Sequence, residues 1–178
     1  MDSEDSDILL VPHHRVGAII GKAGATKKEI ETKTETVITI DSDAGEVEIV
    51  RKGHPLGYMK AMRVVKAIAR GFSPEHAYRL FDEEVVFDLI ELQEELGKNE
   101  SRIKAKKGRV IGAHGKAREE IEKDTGASIS VYGKTIGIIG KEEEIEKAKT
   151  AIEMLLGGVA HSAVFSKIRK GTYEDFEL

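Results

Sequence analysis

The chain has 178 residues, of which 40% are hydrophobic, and a formal net charge of −4 at pH 7. It has enough apolar residues for the core of one domain or of two small ones. It contains no cysteine and no run of about 18 apolar residues that could span a membrane, which excludes a disulfide scaffold and a cysteine-ligated zinc site. We therefore expect a soluble, cytoplasmic protein.

The first part of the chain predicts the order β-α-α-β-β-α. Residues 8–11 form an apolar run typical of a strand that ends at Pro12, and residues 15–20 predict a short helix that ends at Gly21. A second helix (26–33), two strands (37–40 and 47–50) and a last helix (58–70) follow. The segment between the two strands, residues 41–45, has the composition of a hairpin turn.

The middle of the chain is ambiguous. Ser73 and Pro74 are a strong helix start and predict a helix over 74–81. Residues 85–92 could form a strand, because they are rich in Val, Phe and Ile, or a helix, because several apolar residues fall at helical spacing. We favour the strand, since the basic segment 102–107 is too charged to supply a buried first strand. Asn99 is then expected to cap a helix that ends at Ile111.

The remaining predicted elements follow the same order as those of the first part. They are a helix over 116–123 that ends at Gly126, strands over 127–131 and 135–139, and a helix over 142–156. We therefore predict two modules, residues 1–72 and 85–158, joined by a helical connector at 73–84. Residues 159–178 are predicted to form a C-terminal tail.

The two modules repeat each other around a glycine tetrapeptide. Gly21-Lys22-Ala23-Gly24 recurs 91 residues later as Gly112-Ala113-His114-Gly115. Each copy follows an isoleucine and precedes a helix that carries Glu-Ile-Glu. Glycines at both ends allow a sharp turn between two helices, so that backbone N–H groups and a helix N-terminus can face a phosphate. The repeat predicts two modules that hold a nucleic-acid backbone.

The net acidic charge does not suit a nucleic-acid-binding protein, but the distribution of charge does. Residues 102–118 contain seven Lys or Arg and no acid, whereas the matching residues 11–27 contain three and no acid. One basic face on an acidic protein can attract phosphates. We expect the second module to contribute most of the affinity.

This pattern resembles the KH domain, a module that binds RNA and single-stranded DNA. The resemblance implies an α+β fold of two tandem type I KH modules, each a three-stranded sheet with helices packed on one face. It also implies that phosphates contact the Gly-x-x-Gly loop and that bases lie in a groove between the helices and the second strand. The RNA-binding residues predicted in the first module are Ile20, Gly21, Lys22, Ala23, Gly24, Lys27, Lys28 and Ile38. In the second module they are Lys107, Arg109, Ile111, Gly112, Ala113, His114, Gly115, Lys116, Arg118 and Ile129.

The chain also resembles the Partner of Nob One family of small-subunit ribosome assembly factors in its archaeal form. The stretches that carry this resemblance are 71–82, 107–112, 130–140 and 151–158. The resemblance spans about residues 7–170. It implies a role in maturation of 16S-type ribosomal RNA by binding of its 3′ region. The partners implied are single-stranded RNA, a Nob-type endonuclease and the α subunit of archaeal translation initiation factor two. The resemblance implies neither a cofactor, nor a metal, nor a catalytic residue.

Two alternative functions remain. An accessory subunit of an RNA-degrading exosome also carries KH modules, but it would be expected to carry an S1-type β-barrel for which this chain has no room. A magnesium-dependent nuclease could use clustered acids such as Glu91, Glu94 and Glu95, although such clusters are usually solvated. The absence of another recognisable catalytic motif favours a binding protein.

Overall fold

The structure, a computed structural model, describes residues 6–170. The chain divides into two compact units, Met1–Glu83 and Glu84–Leu178. Within the described residues, no helix is both long and apolar enough to cross a membrane.

The first unit has the predicted β-α-α-β-β-α order. Its elements are β1 (Ser6–Leu10), α1 (His13–Ile20), α2 (Ala25–Thr34), β2 (Thr36–Asp41), β3 (Glu46–Arg51) and α3 (Pro55–Ala69). The antiparallel sheet has the order β1-β3-β2, which leaves β2 at an edge. The strands β2 and β3 are joined by a turn in which the Asp41 carboxylate accepts the N–H groups of Asp43 and Ala44, at 3.0 and 2.9 Å.

The core of this unit follows from the apolar spacing of its helices and strands. Buried residues on α3 recur at i, i+3, i+4 and i+7, which places them on one helix face: Ala61, Val64, Val65 and Ile68. Ile19, Ile30 and Ile49, from α1, α2 and β3, are fully buried as well. After α3 the chain forms α4 (Pro74–Ala77), which continues as a 3₁₀ turn to Phe81. The Ser73 hydroxyl accepts the His76 N–H at 3.4 Å, as expected of an N-cap.

The second unit repeats this architecture. Its elements are β4 (Val85–Glu91), α5 (Leu92–Leu96), α6 (Glu100–Ile111), α7 (Lys116–Thr125), β5 (Ser128–Tyr132), β6 (Thr135–Lys141), α8 (Glu142–Gly157) and α9 (His161–Lys170). The antiparallel sheet has the order β4-β6-β5. The strand favoured for residues 85–92 is confirmed as β4, and the Asn99 side chain accepts the Arg102 N–H at 3.0 Å, which confirms the predicted cap. The predicted α+β fold of two three-stranded modules is confirmed.

Two helices of the second unit were not anticipated. Helix α5 is short, and its Leu92 and Leu96 are buried. Helix α9 lies in residues predicted to be a tail, and that prediction is wrong for 161–170 because Val164 and Ile168 pack into the core of the unit. Arg169 further binds Glu120 and Asp124 of α7. The rest of the predicted tail, residues 171–178, lies outside the described residues.

Candidate nucleic-acid interface

The two glycine loops have the same backbone conformation. The first glycine of each loop has φ 75° (Gly21) or 72° (Gly112), and the last has φ 78° (Gly24) or 77° (Gly115). The third residue is left-handed although it is not glycine, with φ 52° at Ala23 and 54° at His114. The last N–H of each loop donates to the first carbonyl, at 3.2 and 3.3 Å. The sequence repeat is therefore a structural repeat.

The two glycines of a loop serve different purposes. A Cβ on Gly21 would lie 2.6 Å from the backbone nitrogen of Thr26, and one on Gly112 would lie 2.8 Å from that of Ala117. The first glycine thus permits the close approach between the loop and the following helix. A Cβ on Gly24 or Gly115 would meet no atom of the described residues within 4 Å. The second glycine is required by its left-handed backbone, and the space beside it is open to a ligand.

The loops leave helix N-termini free to bind an anion. Helices α2 and α7 follow directly after Gly24 and Gly115, and glycine offers no side chain to accept the first N–H groups. The first N–H of each helix donates to a loop carbonyl, from Ala25 to Lys22 and from Lys116 to Ala113, but no side chain caps the rest of the turn, so that the helix dipole favours a negatively charged ligand such as a phosphate. The middle residues of both loops, Lys22 with Ala23 and Ala113 with His114, are exposed.

Several of the predicted basic residues keep their charge available beside the loops. Among residues 6–170, Lys22, Lys28, Lys116 and Arg118 form no ion pair. Lys27 differs, because its ammonium lies 3.2 Å from the Glu31 carboxylate one helical turn away. These cationic side chains therefore lie in the first loop (Lys22) or on the first turns of α2 and α7, next to the uncapped N-termini of the two helices.

The predicted groove walls are corrected at two positions. The side chains of Ile38 and Ile129 are only 1% and 2% exposed and belong to the cores of their units. They therefore cannot offer a base an apolar surface. Ile20 and Ile111, at the ends of α1 and α6, are half-buried and lie directly before the loops. In β2 both neighbours of Ile38, Val37 and Thr39, are exposed, and the exposed fraction of Val37 is 43%.

A pair of glutamates that the sequence analysis did not select lies at these strands. The Glu31 carboxylate accepts the N–H of Ile38, and the Glu122 carboxylate accepts the N–H of Ile129, both at 2.7 Å. Each glutamate thus ties its helix to an edge strand and occupies a backbone donor there. The signal was present in the sequence, since Glu31 and Glu122 end the repeated Glu-Ile-Glu.

The structure gives Arg109 a different role from the predicted one. Its Nε and Nη2 donate to the carbonyl oxygens of Leu155 and Val159, at 2.9 and 2.6 Å, where α8 ends. Arg15 makes the equivalent contacts at the end of α3, with Ile68 at 2.8 Å and Phe72 at 2.6 Å. A guanidinium in this position satisfies the last carbonyls of the helix. Arg109 therefore stabilises the end of α8, while its predicted contact with RNA stays a prediction.

The hairpin between β5 and β6 engages two further cations. Lys107 Nζ donates to the carbonyl oxygen of Gly133 at 2.6 Å. Lys134 Nζ lies 2.5 Å from the Glu100 carboxylate, which offsets its charge. Lys107 keeps its charge but is tied to the hairpin, so the basic excess of the second unit over the first is smaller than the sequence count suggests.

The described residues show no metal centre. Within 6–170, no three or more His, Asp or Glu side chains converge in a way that could hold a metal ion.

Comparison with protein families finds a KH domain in each of the two units. A model described as the KH domain matches residues 6–67. A model of the second KH domain of PNO1, described as a eukaryotic-type KH domain of type I, matches residues 86–172. A KH domain-containing protein of Methanocaldococcus jannaschii, MJ0443, is 41% identical over 94% of this chain and 78% of the relative.

Solved structures show the same similarity in three dimensions. Dim2p from Pyrococcus horikoshii is 44% identical over 94% of this chain and 99% of its own, with a TM-score of 0.85. A chain in the complex of a/eIF2α, aDim2p and rRNA from the same organism is 43% identical over 94% of both chains, with a TM-score of 0.87. A protein of unknown function from Aeropyrum pernix, APE0754, is 38% identical over 94% of this chain and 90% of its own, with a TM-score of 0.87. With this identity over most of the chain and a KH domain in each unit, the chain belongs to the PNO1-like family of proteins with two KH domains.

Proposed function

We propose that this protein binds single-stranded RNA through its two Gly-x-x-Gly loops and acts in maturation of small-subunit ribosomal RNA, where it holds the 3′ region. The observation that carries this proposal is the pair of loops with the same backbone conformation. Each loop has open space beside its last glycine and is followed by an uncapped helix N-terminus. Such a site suits a phosphate backbone rather than a small neutral ligand. The similarity to a chain in a complex that contains rRNA supports RNA as the ligand.

The same complex contains a/eIF2α, which supports the α subunit of the archaeal initiation factor as a partner. A Nob-type endonuclease is the second partner that we propose, since the family resemblance implies that another protein makes the cut. In this view the chain itself has no enzymatic activity and positions the RNA. The lack of cysteine is compatible with a reducing, cytoplasmic location.

Equilibrium binding to a fluorescent RNA tests the proposal. One RNA carries the 3′ end of the small-subunit rRNA and a second carries the same bases in scrambled order. We expect the affinity to fall as salt rises, because each phosphate contact with a single strand releases about 0.7 counterion. We also expect the scrambled RNA to bind more weakly. If neither RNA binds at low salt, RNA binding is refuted, and equal affinities at every salt concentration would refute specific recognition of the rRNA.

A further inference from the structure

A cavity of about 420 Å³ opens beside the glycine loop of the second unit. One wall is formed by Gly112 and Ala113 of the loop, and a second by the first turns of α7, including the buried Ala117. The third wall is α9, which contributes the rings of His161 and Phe165. The volume falls in the range of about 300–1,000 Å³ that is usual for small-molecule sites.

The wall formed by α9, which carries the two aromatic rings, is fixed by packing and by a hydrogen bond. Val164 and Ile168, on the same helix, are buried in the core of the unit. The His161 ring donates from Nε2 to the carbonyl oxygen of Arg109 at 2.8 Å, because a carbonyl can only accept. The centroid of the Phe165 ring lies 6.1 Å from that of His161. Two aromatic rings are therefore fixed at one side of the cavity.

The first unit contains the same appended element. Gly71 and Gly158, with φ 97° and 98°, follow the last helix of each module, and Arg15 and Arg109 bind the carbonyls around them. Counting on from these glycines, Ala77 corresponds to Val164, and both are fully buried. Segment 74–81 is thus the counterpart of α9.

The two units differ at the cavity itself. By the same count Tyr78 corresponds to Phe165, and by the loop repeat Thr26 corresponds to Ala117. Burial raises the pKa of Tyr78, and a hydrogen bond with Thr26 acts in the opposite direction. In the first unit the hydroxyl groups of a tyrosine and a threonine are therefore close enough to interact at this position. The second unit replaces both with residues that cannot form that bond, and the space is open.

We propose that this cavity receives the base of a nucleotide that flanks those bound by the second Gly-x-x-Gly loop. The inference rests on the proposed RNA binding. Gly112 and Ala113 belong both to the loop and to the cavity wall, so a strand whose phosphates lie on the loop brings its next base to the cavity. The exposed Lys116 at the rim forms no ion pair within residues 6–170 and attracts the backbone.

The chemistry of the walls also favours a base over another apolar group. Aromatic side chains stack on nucleobases of any sequence, because every base has a π-face. Glu120 also lines the cavity, and Arg169 compensates its charge, so its carboxylate can accept a base N–H without repelling the phosphates. An apolar peptide would gain nothing from the cationic rim.

The test compares RNAs of different length within each protein variant. A series of rRNA 3′-end oligonucleotides is shortened by one nucleotide at a time from either end. With the unaltered protein, we expect one added nucleotide to raise the affinity by about tenfold, within the range of a single base–aromatic stack. Ala117→Thr installs the residue of the first unit in the cavity, and Phe165→Leu keeps apolar volume but removes the ring. In both variants the added nucleotide should no longer raise the affinity. In the control Ala163→Thr, at an exposed position of α9, it should still raise the affinity by about tenfold.

The outcomes separate this proposal from the general one. If no RNA of any length binds, the proposed function fails and the cavity proposal fails with it. If RNA binds and the tenfold step persists in both cavity variants, only the cavity proposal is overturned. Should Phe165→Leu fail to fold by circular dichroism, Ala117→Thr decides, because a threonine is already accommodated at the equivalent position of the first unit. A 5-iodouridine at the flanking position should crosslink to the α9 peptide, and crosslinks confined to other peptides would contradict the proposal.

Discussion

The two glycine loops allow a direct test of which unit contributes more to RNA affinity. The double variant Ala113→Asp with His114→Asp places two negative charges on the second loop, and Lys22→Asp with Ala23→Asp does so on the first. All four side chains are exposed. The left-handed positions, His114 and Ala23, accept Asp better than most residues other than glycine. Both variants should therefore fold with the loop unchanged.

The expected loss of affinity follows from the contacts that the loops can make. Losing one hydrogen bond to a charged group typically costs about 1.5–3 kcal/mol, which corresponds to roughly tenfold to 150-fold in affinity. We expect at least a tenfold loss from the second-loop variant. Residues 102–118 contain seven basic side chains, of which Lys107 and Arg109 bind carbonyl oxygens. The other five are available to attract RNA. In residues 11–27, one of the three, Arg15, is engaged in the same way. The first-loop variant should therefore lose less.

Fluorescence anisotropy at one fixed salt concentration measures both losses. The matched controls replace the same residues with Asn, which has nearly the shape of Asp but no charge. A large effect of Asp with a small effect of Asn attributes the loss to repulsion of phosphates. If the first-loop variant loses more affinity while circular dichroism shows both proteins folded, the charge argument is wrong and base contacts in the first unit dominate.

Three further predictions concern stability. Arg109→Met should lower the free energy of unfolding in urea by about 1.5–3 kcal/mol, because a charged donor leaves the carbonyls of Leu155 and Val159; a loss of RNA affinity without this loss would instead support a direct role. Gly112→Ala should destabilise more than Gly115→Ala. Gly115 is in the left-handed helical region, where alanine costs about 1–2 kcal/mol, whereas Gly112 has φ 72° and ψ 179°, a combination essentially restricted to glycine, and its Cβ would also overlap α7; equal melting temperatures would contradict this. Because burial raises the pKa of Tyr78 above its ordinary value of 10.0, the folded state keeps the phenolic proton longer than the unfolded state does. The contribution of Tyr78 to stability should therefore be full below pH 10 and be lost as the pH rises further. Tyr78→Phe should remove this loss in denaturation at high pH, and an unchanged pH dependence would refute the assignment.

The elements that the sequence predicted are those fixed by local signals. The buried face of α3 from Ala61 to Ile68 depends on residues close in sequence, and so does the Asn99 cap. The glycine loop is local as well, because its backbone requires glycine at Gly21 and Gly112. The loop could be assigned even without the structure, because both copies keep the two glycines, the preceding isoleucine and the following Glu-Ile-Glu. These features explain why the module order and the loop positions were predictable.

The features that were missed depend on contacts across long stretches of sequence. Helix α9 is polar over most of its length, and only its packing identifies Val164 and Ile168 as core residues. Arg109 lies in a basic run that suits RNA, and its carbonyl partners are 46 and 50 residues away. The family resemblance assigned the side chains of Ile38 and Ile129 to a groove, and alternation along a strand could not correct this because it does not reveal which face the helices cover.

The recurrence of the appended helix changes where the repeated unit of this chain ends. Segment 74–81 is then not a spacer acquired between two modules but the end of the first copy, as α9 is the end of the second. Leu80 and Ala77 are fully buried in that copy. A gene fragment that stops at residue 72 would remove both residues from the core they fill, and its product should aggregate. A fragment extended to Glu83, where the first compact unit ends, keeps the whole repeated unit and should stay soluble.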